Sequence, residues 1–171
     1  MTDNGPRPAL SHADVSGKAR MVDVGSKPIT ERVAVAEGFV KISPALFAAV
    51  RSNSIAKGNV LDVSRLAGIQ AAKRTDELIP LCHSLPLDRV DVQLELQPDR
   101  VRIIAEVATH ARTGVEMEAL TAVTVAGLTV IDMGKSIDKT MVIEGVRVIE
   151  KRGGRSGHFI APGSDPAKGA P

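Results

Sequence analysis

Asp132 and Lys135 stand three residues apart in the run Val130-Ile131-Asp132-Met133-Gly134-Lys135. On a helix that spacing puts a carboxylate and an ammonium on one face. Most Asp-x-x-Lys pairs are ordinary surface ion pairs. The apolar neighbours of Asp132 nevertheless predict a place at the edge of a core, where the two groups can tune each other toward acid and base work. Cys82-His83 falls in a non-helical stretch after Pro80 and Leu81. Adjacent side chains of an extended segment point to opposite sides, which argues against a Cys nucleophile activated by this His. The expectation is a buried Cys82 and a His83 turned toward a pocket. Thr113-Gly114-Val115-Glu116 matches a helix capping box, and Glu118 suits the positive end of the same helix. Both glutamates therefore have a structural reading beside a chemical one.

The cations are scattered singly at element ends: Lys27, Arg32, Lys57 and Lys151. If they converge, they suit a small polyanion better than a nucleic-acid track. Gly153-Gly154-Arg155-Ser156-Gly157 resembles a backbone anion cradle, with a plain turn as the equal alternative. It lacks the Lys-Ser/Thr ending of a Walker loop. Cys82 is the single cysteine, and His12, His110 and His158 show no ligand spacing. Neither a disulfide nor a metal site is expected.

These residues must be positioned by a chain of 171 residues, enough for one domain. Pro, Gly and small polar residues mark 1–9 and 157–171 as loose tails around a single domain over 10–156. The 22 Lys and Arg nearly balance 20 Asp and Glu, and there are three Phe but no Tyr or Trp. The core must be aliphatic, and a base-stacking surface for nucleic acid is excluded. Apolar stretches are broken by Gly, Asp or Arg before bilayer-spanning length, and the N-terminus has no signal-peptide features. A cytoplasmic protein without a membrane partner is expected.

Alternation predicts a strand over 30–42, with Gly38 as a bulge. Ser43-Pro44 caps a short helix to about Arg51, and Asn59 caps a second one. Val90, Val92, Leu94 and Leu96, then Val101, Ile103, Ala105 and Val107, predict an antiparallel hairpin with one wet face across the Pro98-Asp99 turn. Residues 115–135 read as the longest helix, despite many β-branched residues. A final strand is expected over 141–151. The sum is an α+β domain, an antiparallel sheet with helices on one face. Its uncovered face would suit contact between subunits. Glu118 and Asp132, 14 positions apart, would lie about 21 Å apart on one helix. If both act on one small ligand, the site must be shared between subunits or the helix must break.

Four long strings carry a resemblance: residues 11–32, KGNVLDVSRLAGIQAAKRTDELIPLCHSLPL (57–87), TGVEMEALTAVTVAGLTVIDMGKSIDK (113–139) and KRGGRSG (151–157). Together they resemble the cyclic pyranopterin monophosphate synthase family, the C proteins of molybdenum cofactor biosynthesis. The resemblance implies a ferredoxin-like fold and a homohexamer, a trimer of dimers with active sites at dimer interfaces. It implies conversion of 3′,8-cyclo-7,8-dihydro-GTP to cyclic pyranopterin monophosphate with loss of pyrophosphate. Asp132 and Lys135 match its acid/base pair, with His83 and Lys57 as further catalytic groups. Leu81, Cys82, His83, Glu116, Met117, Glu118 and Lys151 would line the substrate, and Arg32 and Lys27 would meet its triphosphate. No cofactor is implied as a requirement, and any Mg²⁺ would ride on the substrate phosphates. Ser84 stands where the family usually has Pro, Gly134 where it has Cys, Arg155 where it has Lys and Asn59 where it has Asp. A non-catalytic oligomeric guanine-nucleotide-binding protein is the alternative, disfavoured by the intact Asp132, Lys135 and His83.

Overall fold

The computed structural model describes residues 18–154 and 157–164. Arg155, Ser156 and His12 lie outside the described residues, as do residues 1–9 and 165–171 of the expected tails. Strand β1 (Thr30–Lys41) leads to helices α1 (Pro44–Arg51), α2 (Val60–Ala72) and α3 (Thr75–Leu78). Strands β2 (Arg89–Gln97) and β3 (Arg100–Ala111) form the expected hairpin. Helix α4 (Glu116–Gly134), β4 (Val142–Arg152) and the short β5 (Phe159–Ile160) follow. The sheet order is β2-β3-β1-β4-β5 and every neighbouring pair is antiparallel. With helices between β1 and β2 and between β3 and β4, this is the ferredoxin-like α+β arrangement. β5 lies inside the stretch whose composition reads as a tail.

Local signals account for most element ends. Ser43 caps α1, its side chain accepting the Leu46 N–H, with Pro44 in the first turn. Asn59 accepts from the N–H groups of Leu61 and Asp62 and so starts α2. The β1–β4 register shifts around Gly38, where an added Cβ would press on Val123 and Val146. The bulge therefore lets α4 and β4 approach β1.

The core is aliphatic. Ala34, Ala36 and Val40 of β1, Val92 of β2, and Val101, Ile103, Ala105 and Val107 of β3 pack against Ala119, Ala122, Val123, Ala126 and Val130 of α4. Small residues set the spacing: a Cβ on Gly68 of α2 would sit 3.0 Å from the Ala122 carbonyl and 3.3 Å from Ala126. Helix α4 tolerates its threonines because Thr124 and Thr129 return their hydroxyls to the carbonyls of Leu120 and Val125. One expectation is corrected here. At 19 residues with a mean hydropathy of 1.3, α4 is long and apolar enough to cross a membrane, and 56% of that stretch is buried within this fold. Its apolar surface is that of a core helix.

The far face of the sheet is not uniformly wet. Val35, Ile104 and Ile149 form a second buried cluster. Beside them the buried Glu37 accepts from Arg102 at 3.1 Å and Arg147 at 2.9 Å. Strict alternation fails on β3 because Ile104, on that face, is buried with Val35 and Ile149.

Candidate active site

The candidate residues fall into two groups at opposite ends of α4. At its start, a cavity of about 470 Å³ is lined by Lys27 and Arg32, by Leu81, Cys82 and His83, by Glu116, Met117 and Glu118, and by Lys151. Three cations that the sequence only suggested might converge do so here. Arg112 and Thr113 also line it. Arg112 escaped the sequence reading. Its only signal was a cation directly before the Thr113-Gly114 turn that opens α4.

Each wall has a local cause. Lys151 sits on β4 opposite Ala34 of β1, and its ammonium pairs with Glu116 at 2.6 Å. The capping box is therefore not formed: Val115 holds the cap position and no side chain caps α4. Glu116 turns instead toward a cation 35 residues away, because a part-buried ion pair outweighs a local cap. Its carboxylate lies where a Cβ on Gly114 would be. Gly153 and Gly154, with φ of 94° and 78°, carry the chain past Glu31 and Arg32, and side chains there would collide with the Glu31 carbonyl and the Arg32 guanidinium. Arg32 keeps a buried Nε–H with no hydrogen-bond partner among the described residues, a donor that a ligand anion would satisfy.

His83 Nε2 lies 2.9 Å from the Val22 carbonyl. A carbonyl only accepts, so Nε2 carries a proton and donates it to Val22, which turns Nδ1 to the other side of the ring. Cys82 lines the same cavity and is only half-buried, contrary to the expected opposition of the two side chains. The reason is backbone geometry: the Cys82 N–H bonds the Ile79 carbonyl in a turn, so the segment is not extended. Burial, then the charges of Glu118 and Asp76, push the thiol up, which keeps it protonated and unreactive.

Glu118 is the most perturbed group. Burial pushes its carboxyl up to about 7, and Glu116 and Asp76 push the same way, against a hydrogen bond from backbone N–H. It is poised to give or take a proton near neutrality.

The second group lies at the end of α4. Lys57 Nζ donates to the Asp132 carbonyl at 2.8 Å and to Oδ2 at 2.9 Å, while Lys135 Nζ donates to Oδ1 at 2.7 Å. Asp132 is thus clamped between two ammoniums, which hold its carboxyl at about 2. The expected core-edge setting is corrected: the Asp132 side chain is 58% exposed in the single chain. Alternation of apolar neighbours misled, because Ile131 and Met133 turn inward while Asp132 turns out. Lys57 stands away from the other cations, placed by a turn in which Gly58 (φ 100°) precedes the α2 cap.

Asp138 fastens this end. It is buried and accepts from the Ser43 N–H at 2.7 Å, the Thr140 N–H at 2.9 Å and the Thr140 hydroxyl at 2.8 Å. Gly134 meanwhile packs against Leu46, which a Cβ would approach to 2.8 Å. The hydrogen bonds hold the Asp138 carboxyl below its usual value. A depressed carboxyl contributes stability above its unfolded pKa and loses it as pH falls through the folded one. Asp138→Ala is expected to cost about 2–3 kcal/mol at pH 7, by stranding buried donors. The difference from the unchanged protein should shrink below about pH 4, as urea unfolding at the two pH values will show.

Among the described residues no cluster of three or more His, Cys, Asp or Glu side chains could hold a metal ion. The arrangement offers cations and backbone N–H groups that suit an anion, and a carboxyl, an imidazole and ammoniums that suit proton transfer.

A ferredoxin-like domain with a cation-walled cavity at the start of α4 and a Lys–Asp–Lys cluster at its end defines a class: a small α+β protein whose side chains suit proton transfer on a polyanionic ligand. A model of the MoaC family matches residues 21–154, so the chain belongs to the MoaC family. It is 54% identical over 165 residues to cyclic pyranopterin monophosphate synthase of Rhodospirillum rubrum, covering 94% of this chain and 99% of the relative. The identity is 58% over 150 residues with the protein of the same name from Thermomicrobium roseum, covering 86% and 90%. It is 52% over 158 residues with cyclic pyranopterin monophosphate synthase 1 of Mycobacterium bovis, covering 92% and 93%.

Proposed function

We propose that this chain is a cyclic pyranopterin monophosphate synthase, a lyase of molybdenum cofactor biosynthesis. It would convert 3′,8-cyclo-7,8-dihydro-GTP to cyclic pyranopterin monophosphate and pyrophosphate. The observation that carries the reading is the pairing of two chemically complementary groups on one unbroken helix. The cavity beside Glu118 offers cations and a titrating carboxyl, and the Asp132 end offers two ammoniums held by a carboxylate.

Lys27, Arg32, Arg112 and Lys151 would spread the triphosphate charge. As a substrate hydroxyl closes on the α-phosphorus and the bond to the β-phosphate breaks, these cations take up charge on the departing pyrophosphate. Ring opening and pterin closure need several proton transfers. Asp132, kept anionic by the two ammoniums, and Lys135 would form the acid/base pair, the carboxylate orienting the Lys135 ammonium. Glu118 and His83 Nδ1 exchange protons at the other side. Any Mg²⁺ would come on the phosphates.

Fourteen residues of helix separate Glu118 from Asp132, about 21 Å. A single substrate reaching both therefore requires the Asp132 end of a second copy to complete the cavity. This supports interface active sites in a homohexamer, and we place the enzyme in the cytoplasm. The test is to give the purified protein the cyclised dihydro-GTP and follow pyrophosphate release and pterin fluorescence after oxidation, with sedimentation of the same sample. Pyrophosphate, a pterin and a hexamer are expected. Nucleotide binding without pyrophosphate would instead identify a non-catalytic binding protein.

A further inference from the structure

His83 is presented by residues 79–88, a segment without regular structure between α3 and β2. Its ties are few. The Cys82 N–H reaches the Ile79 carbonyl, and the Thr109 hydroxyl reaches the Pro86 carbonyl. Between these, the exposed Ser84 hydroxyl donates to Asp76 Oδ2 in the first turn of α3. Ser84 directly follows His83, whose ring is held at its other side by Val22. Neither Asp76 nor Ser84 lines the cavity.

We propose that Asp76 and Ser84 are positioning residues: their hydrogen bond clasps the segment to α3 and so fixes the place and tautomer of the His83 ring in the cavity. The argument is mechanical. Freedom at residue 84 passes directly to the His83 backbone, and a ring that shifts loses the Val22 carbonyl, the contact that fixes its proton on Nε2. Val22 opens the segment that ends in Lys27, so the clasp also bears on how that cation stands. Asp76 has a second effect, through charge. Glu118 faces Glu116 on its own helix, Asp76 from α3, and Cys82 and His83 from the intervening segment. Lys151 reaches in from β4, already bound to Glu116. Asp76 thus adds to the like charge that keeps Glu118 protonated.

The inference rests on the proposed reaction only for its kinetic readout; its spectroscopic readout needs no substrate. Ser84→Ala and Asp76→Ala should both remove the clasp without unfolding the protein, since Ser84 is exposed. The ¹⁵N signals of the His83 ring should leave the pattern of a single Nε2-protonated tautomer, and kcat should fall about tenfold with little change in KM. Asp76→Asn keeps an acceptor for Ser84 but no charge. It should retain the wild-type His83 signals while the carboxyl ¹³C titration of Glu118 moves down, the direction expected when a like charge is removed. Wild-type His83 signals in Ser84→Ala or Asp76→Ala would overturn the proposal. Altered His83 signals in a protein that never releases pyrophosphate would leave the clasp standing and refute the proposed reaction instead.

Discussion

Lys135→Ala is expected to lower turnover by about 10²–10⁴-fold, the range for removal of a positioned proton donor. The fold should survive, because Lys135 and its partner Asp132 are exposed at the end of α4 and the fastening there comes from Asp138 and Leu46. Asp132→Asn should be nearly as damaging. The amide can still accept one hydrogen bond, but it no longer holds two ammoniums by charge, so Lys135 loosens and Lys57 keeps only the backbone carbonyl of residue 132. Pyrophosphate release under saturating substrate measures the loss, and a urea melt measures the fold. Full activity in either variant would refute the roles assigned to this cluster.

Glu118→Gln is expected to lose activity in the same range and also to alter the pH dependence of stability up to neutrality. The folded carboxyl lies at about 7, above its ordinary value of 4.5. A raised carboxyl contributes stability that is complete below about 4.5, declines as pH rises, and is gone above about 7. The native protein should therefore weaken between those values as a charge is forced into a buried site. Glutamine carries no charge, so Glu118→Gln should lack that decline and gain on the native protein at pH 8. Thermal melts across pH 4 to 8 should show the two curves diverging upward in pH. Parallel curves would mean that Glu118 titrates as an ordinary surface acid. In kinetics, the limb of the pH–rate profile near 7 should vanish with the carboxyl.

What could be read in advance followed the range of the interaction. Ser43 and Asn59 cap the helices they precede, and the alternating runs at 90–96 and 101–107 form the hairpin they predict, since each signal acts over a few residues. The same physics deceived at Thr113-Gly114-Val115-Glu116. The string is a good capping box, yet Glu116 found Lys151, a partner that only the completed sheet brings near. Lys57 and Asp132 are 75 residues apart, and nothing local announces that they meet. Arg112 was invisible because its value lies in the company it keeps at the rim of the cavity. Ile104, on the supposedly wet side of β3, was misjudged because it is buried with Val35 of β1 and Ile149 of β4, neighbours that only the assembled sheet supplies. The strings that carry the candidate site were legible only through resemblance; spacing alone left Asp132 and Lys135 as one more surface pair.

A core assembled from valine, isoleucine and alanine, in a chain with neither tyrosine nor tryptophan, leaves the near-ultraviolet almost dark. The protein barely absorbs or emits where pterins do, so a bound guanine-derived ligand or its product can report on its own cavity by its native spectrum, with no dye attached and no background to subtract.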